Sequence, residues 1–168
     1  TVTLRDASFI GSALTPVAID ASGSSTVMIE RCVFDTVSSL SFTSASVDIT
    51  ESLIKNVITT GISLSGAMPI AHIAHTSLRD AYGSGSAIGI AVTTVSATLS
   101  NVCVSGMNGT GLSLNSTTSE LVDSLFANNG TGISASLSST SLVKNNTIAD
   151  DLTRALSGDV ILENNIMR

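Results

Sequence analysis

Residues 47–64 read VDITESLIKNVITTGISL, and a related pattern returns at residues 101–114 as NVCVSGMNGTGLSL. It recurs at residues 121–135, which read LVDSLFANNGTGISA, and at residues 142–151, which read LVKNNTIADD. Each copy combines short aliphatic stretches with a bend containing a small or Asn residue, and in the first three copies a turn containing Gly or Asn follows. Apolar alternation bounded by such residues predicts β-strands. The sequence therefore predicts one repeated β unit.

Pairs of apolar residues five positions apart extend this repeat over the whole chain. The second members of successive pairs lie 18 to 26 residues apart, with a mean near 22. The pairs are Leu4 and Phe9, Ile29 and Phe34, Ile49 and Ile54, Ile73 and Leu78, Leu99 and Val104, Leu121 and Phe126, Val143 and Ile148, and Ile161 and Ile166.

A third strand is predicted to close each unit. Gly61, Gly111 and Gly132 directly precede three of these closing strands. We expect a positive φ at these glycines, because Gly adopts that conformation at no steric cost. The closing strands contain Ile19, Leu40 with Phe42, Ile62 with Leu64, Ile88 with Ile90, Leu112 with Leu114, and Ile133 with Ala135.

Three short strands per repeat predict an all-β fold, a single-stranded parallel β-helix of about eight coils in one domain, 1–168. Coils stack ~4.8 Å apart, so eight of them form a rod of roughly 35 Å. One coil cannot bury its apolar face alone, and stacking completes the core. The composition fits a narrow aliphatic interior, since 43% of the residues are hydrophobic, 3% aromatic and 12% charged.

The composition also argues against two classes of protein. The net charge of −6 argues against nucleic-acid binding, which needs a basic surface. The mean hydropathy is high, at +0.45, but no apolar run approaches the ~18 residues of a membrane helix. We therefore expect no nucleic-acid partner and no membrane insertion.

A column of small residues separates the first and second strands of the repeats. A tight bend favours small residues, and stacked Asn amides can hydrogen-bond along such a column. The column consists of Ala7, Cys32, Ser52, Thr76, Val102, Ser124, Asn146 and Asn164. With this column, the four segments quoted above resemble the repeats of right-handed parallel β-helix proteins of the pectate-lyase-like superfamily. The resemblance covers nearly the whole chain and implies a right-handed coil, but that superfamily holds enzymes, tailspikes, adhesins and surface proteins, so it implies no single function.

The two cysteines are predicted to be free thiols. Cys32 falls in the second coil and Cys103 in the fifth, which places them roughly 14 Å apart. A disulfide requires Cα atoms within ~7 Å. No His or Cys stands at metal-ligand spacing from either, so we expect neither a disulfide nor a zinc site.

The position after the second strand carries the main candidate for chemistry. Asp35, Lys55 with Asn56, and Arg79 with Asp80 fall in three consecutive coils. Two carboxylates and two cations within reach of one another could hold Ca²⁺ or act in acid–base cleavage of an anionic sugar polymer. The alternative is a surface ion-pair cluster that contributes little.

Other polar positions have both a structural and a functional interpretation. Tyr82 lies in the insertion AYGSGS (residues 81–86), which is either an exposed loop or the lip of a ligand site. His72 and His75 flank Ile73 without a third ligand nearby, so no metal site is predicted. The column after the first strand is interpreted as a solvated edge with mixed signs of charge. It consists of Asp6, Arg31, Glu51, His75, Asn101 and Asp123.

Four Asn-x-Ser/Thr sequons occur in the second half of the chain, a number that chance also explains. Asn108, Asn115 and Asn129 are candidate glycosylation sites if the protein is secreted from a eukaryote. Asn145 is the weakest candidate, because it adjoins Asn146, which is predicted to point inward.

These features favour a structural, surface-display or adhesion-type β-helix without catalytic activity or cofactor, extracellular or at a cell surface. The alternative is a carbohydrate-binding or polysaccharide-active β-helix, a lyase or hydrolase, using Asp35, Lys55, Arg79 and Asp80, with Ca²⁺ as a possible cofactor. A binder of ice or another crystal surface needs a regular Thr array, and the outward Thr residues do not recur at one coil position. They are Thr1, Thr3, Thr26 and Thr98.

The expected partners follow from the scaffold hypothesis. A displayed rod would contact a protein or a glycan at a cell or particle surface. The chain begins in a strand and ends at NNIMR without a predicted capping helix, although solenoids need capped ends. We therefore expect either a segment of a longer protein or a unit that self-associates head to tail into a filament.

Overall fold

A computed structural model shows an all-β parallel solenoid of about 7 turns, each of roughly 22 residues. Among the residues that it describes there is no helix, and hence none long and apolar enough to cross a membrane. The first strand of each of the eight predicted coils is present. Eight successive first strands enclose about seven turns, so the number of turns is about seven and not the predicted eight. The described residues are 1–67, 71–115, 117–136, 141–149, 151, 154–157 (backbone) and 160–168.

Each turn contributes up to three strands, and all the strand pairs are parallel. The first strands stack as one sheet. They are β1 (Val2–Arg5), β4 (Thr26–Glu30), β6 (Ser46–Thr50), β9 (Ala71–Ala74), β12 (Thr98–Ser100), β15 (Glu120–Val122), β18 (Leu142–Lys144) and β21 (Ile161–Glu163).

The second and third strands form two further stacks, which are joined into one sheet because β5 (Val33–Thr43) runs through both. The second stack also contains β2 (Ser8–Ile10), β7 (Leu53–Val57), β10 (Ser77–Ala81), β13 (Cys103–Ser105), β16 (Leu125–Ala127), β19 (Thr147–Ala149) and β22 (Ile166–Met167). The third also contains β3 (Val17–Ser22), β8 (Thr60–Ser65), β11 (Ile88–Thr93), β14 (Thr110–Asn115), β17 (Thr131–Ala135) and β20 (Arg154–Ser157).

The core consists of the predicted aliphatic columns. Ile29, Ile49 and Ile73 are aligned in successive turns of the first stack and are fully buried. Phe9 and Phe34 stack face to face in the second stack, with ring centroids 4.9 Å apart. Because each side chain packs on its equivalent one turn away, burial increases with stacking rather than with the width of a single turn.

Two of the predicted register assignments are wrong by a small shift. In the last turn Leu162 aligns with Val143, and Met167 with Ile148, so Ile161 and Ile166 are not the core pair. The same one-residue shift places Asn165, not Asn164, in the column of small residues. In the fourth turn the aligned inward pair is Ile90 with Val92, whereas Ile88 pairs with Thr60. The sequence alone did not distinguish the alternatives, because the inward residue and the residue predicted in its place are both apolar.

The bend between the first and second strands, here called the first corner, has the same backbone conformation in every turn. One residue per turn adopts a left-handed conformation with φ between 49° and 55°. Asn and Asp tolerate this region best among non-glycine residues. The column therefore sets the direction of the chain as well as forming a polar edge. It consists of Asp6, Arg31, Glu51, His75, Asn101, Asp123, Asn145 and Asn164.

Side-chain hydrogen bonds link the turns at this corner. The residue after the left-handed one points inward, and where it is Ser, Thr or Asn its side-chain oxygen accepts the backbone N–H of its equivalent in the preceding turn. Val102 N donates to Ser124 Oγ at 3.0 Å, and Ser124 N donates to Asn146 Oδ1 at 2.8 Å. The predicted column therefore supplies acceptors to buried N–H groups that the strands do not pair.

A column of glycines occupies the second position of the third strands, but for a different reason from the predicted one. Gly61, Gly111 and Gly132 do not have the predicted positive φ. A Cβ on Gly89 would lie 2.5 Å from Val104 Cγ1 and 2.6 Å from the carbonyl oxygen of Gly111. The column is therefore glycine because successive turns approach too closely for a side chain.

Both cysteines are free, as predicted. Cys32 is buried in the inward column of the first corner, where its thiol contacts the carbonyl oxygen of Glu30. Cys103 lies on the outer face of β13 and is half-buried. Burial raises the pKa of the Cys103 thiol.

Candidate functional site

The structure brings together one half of the predicted charged cluster. Lys55 Nζ lies 2.9 Å from Asp35 Oδ2. Asn56 Nδ2 donates to Asp35 Oδ1 at 2.6 Å, and Thr36 Oγ1 donates to the same oxygen at 3.2 Å. Both carboxylate oxygens therefore have partners within the protein. This carboxylate serves to join the second turn to the third.

The other half of the cluster is separate from this pair. Arg79 follows Lys55 in the parallel ladder and is exposed. Asp80 occupies the next corner with φ 63°, and its carboxylate lies against Gly106 of the following turn. Among the described side chains, no ion pair involves Arg79 or Asp80. The four predicted residues thus share one edge of the rod, and among their described side chains only those of Asp35 and Lys55 form an ion pair.

The Asp35 carboxylate is expected to titrate below its ordinary range. Hydrogen bonds from Lys55 and then from Asn56 lower the pKa of Asp35. A folded-state pKa below the unfolded-state value of about 3.9 stabilises the fold at pH values above about 3.9. This contribution to the free energy of unfolding is lost as the pH falls through the folded-state pKa. A pH titration followed by carbon-detected NMR should therefore give the Asp35 carboxylate a midpoint below that of Asp in an unfolded chain.

The Lys55→Met variant should raise the Asp35 midpoint, because it removes the main donor. Lys144→Met is the matched control, since Lys144 pairs with Glu163 at 3.2 Å on another edge. An Asp35 midpoint that does not move in Lys55→Met would contradict the assigned hydrogen bond.

The first two turns are joined by an exposed ion-pair network that the sequence placed on one edge. Arg31 donates from Nε to Asp6 Oδ1 at 2.7 Å and from Nη2 to Asp6 Oδ2 at 3.0 Å, and it also contacts Glu30. Arg5 Nε donates to Glu30 Oε2 at 2.6 Å. The hydrogen bonds from Arg31 lower the pKa of Asp6. Of the mixed charges predicted for this column, Asp6 and Arg31 form a direct pair. Arg5 and Glu30 lie at the ends of β1 and β4 and were not part of the predicted column.

The two histidines lie on different surfaces. His72 Nδ1 lies 2.8 Å from Asp48 Oδ1 on the outer face of the first stack. His75 is a left-handed residue of the first corner. Within the described ranges, no group of three His, Cys, Asp or Glu side chains could hold a metal ion.

Tyr82 is exposed, with 47% of its surface accessible, and lies where the predicted insertion leaves β10. Asn108 of the following turn holds this insertion in place. It accepts the N–H of Ala87 at 2.7 Å and donates to the carbonyl of Gly83 at 3.1 Å. The Asn108 side chain therefore already has a structural role in the folded chain.

The structure separates the four sequons by accessibility. The asparagines at 108, 115 and 145 are exposed. Asn129 is fully buried, where Oδ1 accepts the N–H of Met107 and Nδ2 donates to the carbonyl of Val104. The fold leaves no room for a glycan on Asn129, whereas Asn145, the weakest candidate from sequence, is exposed. The sequon pattern carries no information about which face of a corner an Asn occupies.

A groove that the sequence did not predict runs along the outside of the second stack, next to the first corner. We call it the outer groove. It consists of two adjoining hollows, of about 430 Å³ and 500 Å³, which share Cys103. The first includes Glu51, His75 and Arg79, and the second includes Asp123. Residues from five separate turns form it, so no local motif could have revealed it.

Neither comparison with known proteins finds a relative. No protein-family model matches the chain, and no curated protein matches it significantly. The fold is therefore established by the parallel register of the strands, and the pectate-lyase-like superfamily stays a prediction.

Proposed function

We propose that the chain is a rigid, non-catalytic β-solenoid scaffold, displayed outside the cell or at a cell surface. We assign it the right-handed coil of the pectate-lyase-like superfamily, on the repeats that carry the resemblance. In this role the rod holds surface groups at fixed spacing for contact with a protein or a glycan. The exposed sequons at Asn108, Asn115 and Asn145 are compatible with that location.

The observation that carries the proposal is the regularity of the first corner. Left-handed residues often mark functional sites, because the surrounding structure must hold them in a costly conformation. Here the conformation recurs once in every turn, with φ within a few degrees. It is explained in each case by the same change of direction. The strained backbone thus belongs to the repeat and does not mark one turn as a site.

The outer face of the third stack supports the same role. Two columns of small, mainly hydroxyl side chains alternate there with the buried aliphatic residues, and we call them the hydroxyl face. Thr43 and Ser65 are close enough to hydrogen-bond across turns, with their hydroxyl oxygens 3.2 Å apart. The columns are Ser41, Ser63, Ala91, Ser113 and Ser134, and Thr43, Ser65, Thr93 and Asn115.

The scaffold proposal predicts that uronate polymers are left intact. Polygalacturonate incubated with the chain and Ca²⁺ should show neither new reducing ends nor unsaturated products above background. The physical reason is that Asp35 is held by Lys55 and Asn56, while Arg79 and Asp80 have separate positions. Asp35→Asn and Arg79→Ala are the matched variants. Turnover by the wild-type chain that falls in either variant would replace the scaffold with the polysaccharide-active alternative.

A further inference from the structure

The outer groove has a floor and one polar wall, each built from one residue per turn. The floor is formed by outward side chains of the second stack, of which Ser77, Cys103 and Leu125 occupy three consecutive turns. Leu125 is 39% exposed. The wall is the first corner, where Asn101 and Asp123 are exposed. A ligand in this groove therefore lies along the rod, across several turns.

The groove carries opposite charges two turns apart. Arg79 is at one end and Asp123 is in the second hollow, separated by roughly 10 Å along the stack. In the described part of the chain, neither side chain takes part in an ion pair. By contrast, the neighbouring Lys55 is paired with Asp35. The first hollow also contains the exposed carboxylate of Glu51, one turn before Arg79. Arg79 and Asp123 are therefore a cation and an anion, two turns apart, that a ligand with the complementary charges can contact.

The ligand must be recognised by its side groups. Both edges of β13 are already paired in the parallel ladder, with β10 and with β16. An additional strand therefore cannot join the groove through its backbone. The side chains on the floor between the charges are small or aliphatic, and neither hollow includes a Phe, Tyr or Trp side chain on which a sugar ring could stack. Aliphatic side groups fit this floor better than a sugar chain does.

We propose that the outer groove binds an extended segment of a partner protein, with an acidic residue opposite Arg79 and a basic residue opposite Asp123. Aliphatic side chains between the two charges pack on Cys103 and Leu125. This interaction goes beyond the scaffold role. The two proposals are tested separately, because turnover of a uronate polymer tests the non-catalytic scaffold and peptide binding tests the outer groove.

The probe is a phage-displayed library of random short peptides, selected on the intact wild-type chain. Enriched peptides should combine an acidic and a basic residue separated by aliphatic residues. Fluorescence anisotropy of these synthetic peptides should show binding at least about fivefold weaker to Arg79→Glu and about threefold weaker to Asp123→Asn. Arg168→Glu and Asp20→Asn make the same changes in net charge on exposed residues outside the groove, and they should bind like the wild type.

Cys103 gives a second measurement that does not depend on mutation. Bound peptide should slow alkylation of Cys103, which both hollows share, whereas Cys32 is 1% exposed and serves as the unreactive internal reference. The proposal is overturned if no peptide is enriched, if the groove variants bind as tightly as the wild type, or if Cys103 is not protected. Protection by polygalacturonate instead of peptide would also overturn it and identify a glycan groove.

Discussion

Replacing Asn146 with Ala is expected to lower the free energy of unfolding by about 3–5 kcal/mol. The side chain is 1% exposed. Its Oδ1 accepts the N–H of Ser124 at 2.8 Å, and its Nδ2 donates to the carbonyls of Leu121 at 3.0 Å and Lys144 at 2.8 Å. Ala would leave the buried N–H of Ser124 without its acceptor, and it would remove a donor from both carbonyls, of which that of Lys144 still accepts the N–H of Asp123 at 3.2 Å. A buried group left unpaired costs about 1–3 kcal/mol, and the lost hydrogen bonds and the cavity add to this cost. Urea unfolding followed by circular dichroism measures the change.

Asn145→Gly is the matched control for this loss. The side chain of Asn145 is exposed and its φ is 55°, a conformation that Gly adopts freely. We expect its unfolding free energy to stay within about 0.5 kcal/mol of the wild type. Equal losses in the two variants would show that the corner is sensitive to any change, and that the inward hydrogen bonds are not the cause.

The Gly89→Ala variant is expected to lose about 2–3 kcal/mol of unfolding free energy through overpacking. The added methyl group would meet Val104 Cγ1 at 2.5 Å and the carbonyl oxygen of Gly111 at 2.6 Å. The second contact is with backbone held in the parallel ladder, so it cannot be relieved by a side-chain rotation. Urea unfolding of the variant and the wild type under the same conditions measures the difference.

Gly85→Ala separates this packing effect from the general effect of adding a methyl group. A Cβ on Gly85 would have only the carbonyl oxygen of Ile58 nearby, at 4.0 Å. Its stability should be unchanged or raised by up to about 1 kcal/mol, because Ala restricts the unfolded chain. A Gly89→Ala variant as stable as Gly85→Ala would mean that the turns can move apart at Gly89.

The fold was predictable because its main determinant is periodic. Residues such as Ile49 and Ile73 are buried for the same reason in every turn, so one correct alignment predicts many contacts. The last turn was misaligned because Ile161 and Leu162 are both apolar, and only their pairing with Leu142 and Val143 identifies the inward one. A slip of one residue exchanges the two faces of a strand, and the residues of a single turn do not exclude it.

The surface was less predictable, because its features combine residues distant in sequence. The cluster from Asp35 to Asp80 was recognisable as a column, but the sequence could not show that Lys55 and Asn56 occupy both carboxylate oxygens of Asp35. The burial of Asn129 depends on its hydrogen bonds to another turn, and the outer groove depends on which residues of five turns face outward. Neither composition nor residue spacing shows directly which asparagines are buried or which residues of different turns lie side by side.

The corner hydrogen bonds also suggest how a rod of this kind changes its length. In the turn that begins at Ser119, the N–H groups of Ser119, Ser124 and Asn129 each donate to a side chain 22 positions later. The side chains of the same three residues accept the N–H groups of Ala97, Val102 and Met107, which lie 22 positions earlier. A stretch of 22 residues of this kind is a complete cassette, with a donor and an acceptor at each of its three corners. Copying such a cassette in the gene would lengthen the protein by one step of ~4.8 Å without a new core. The distance between two surface features is then determined by the number of cassettes between them.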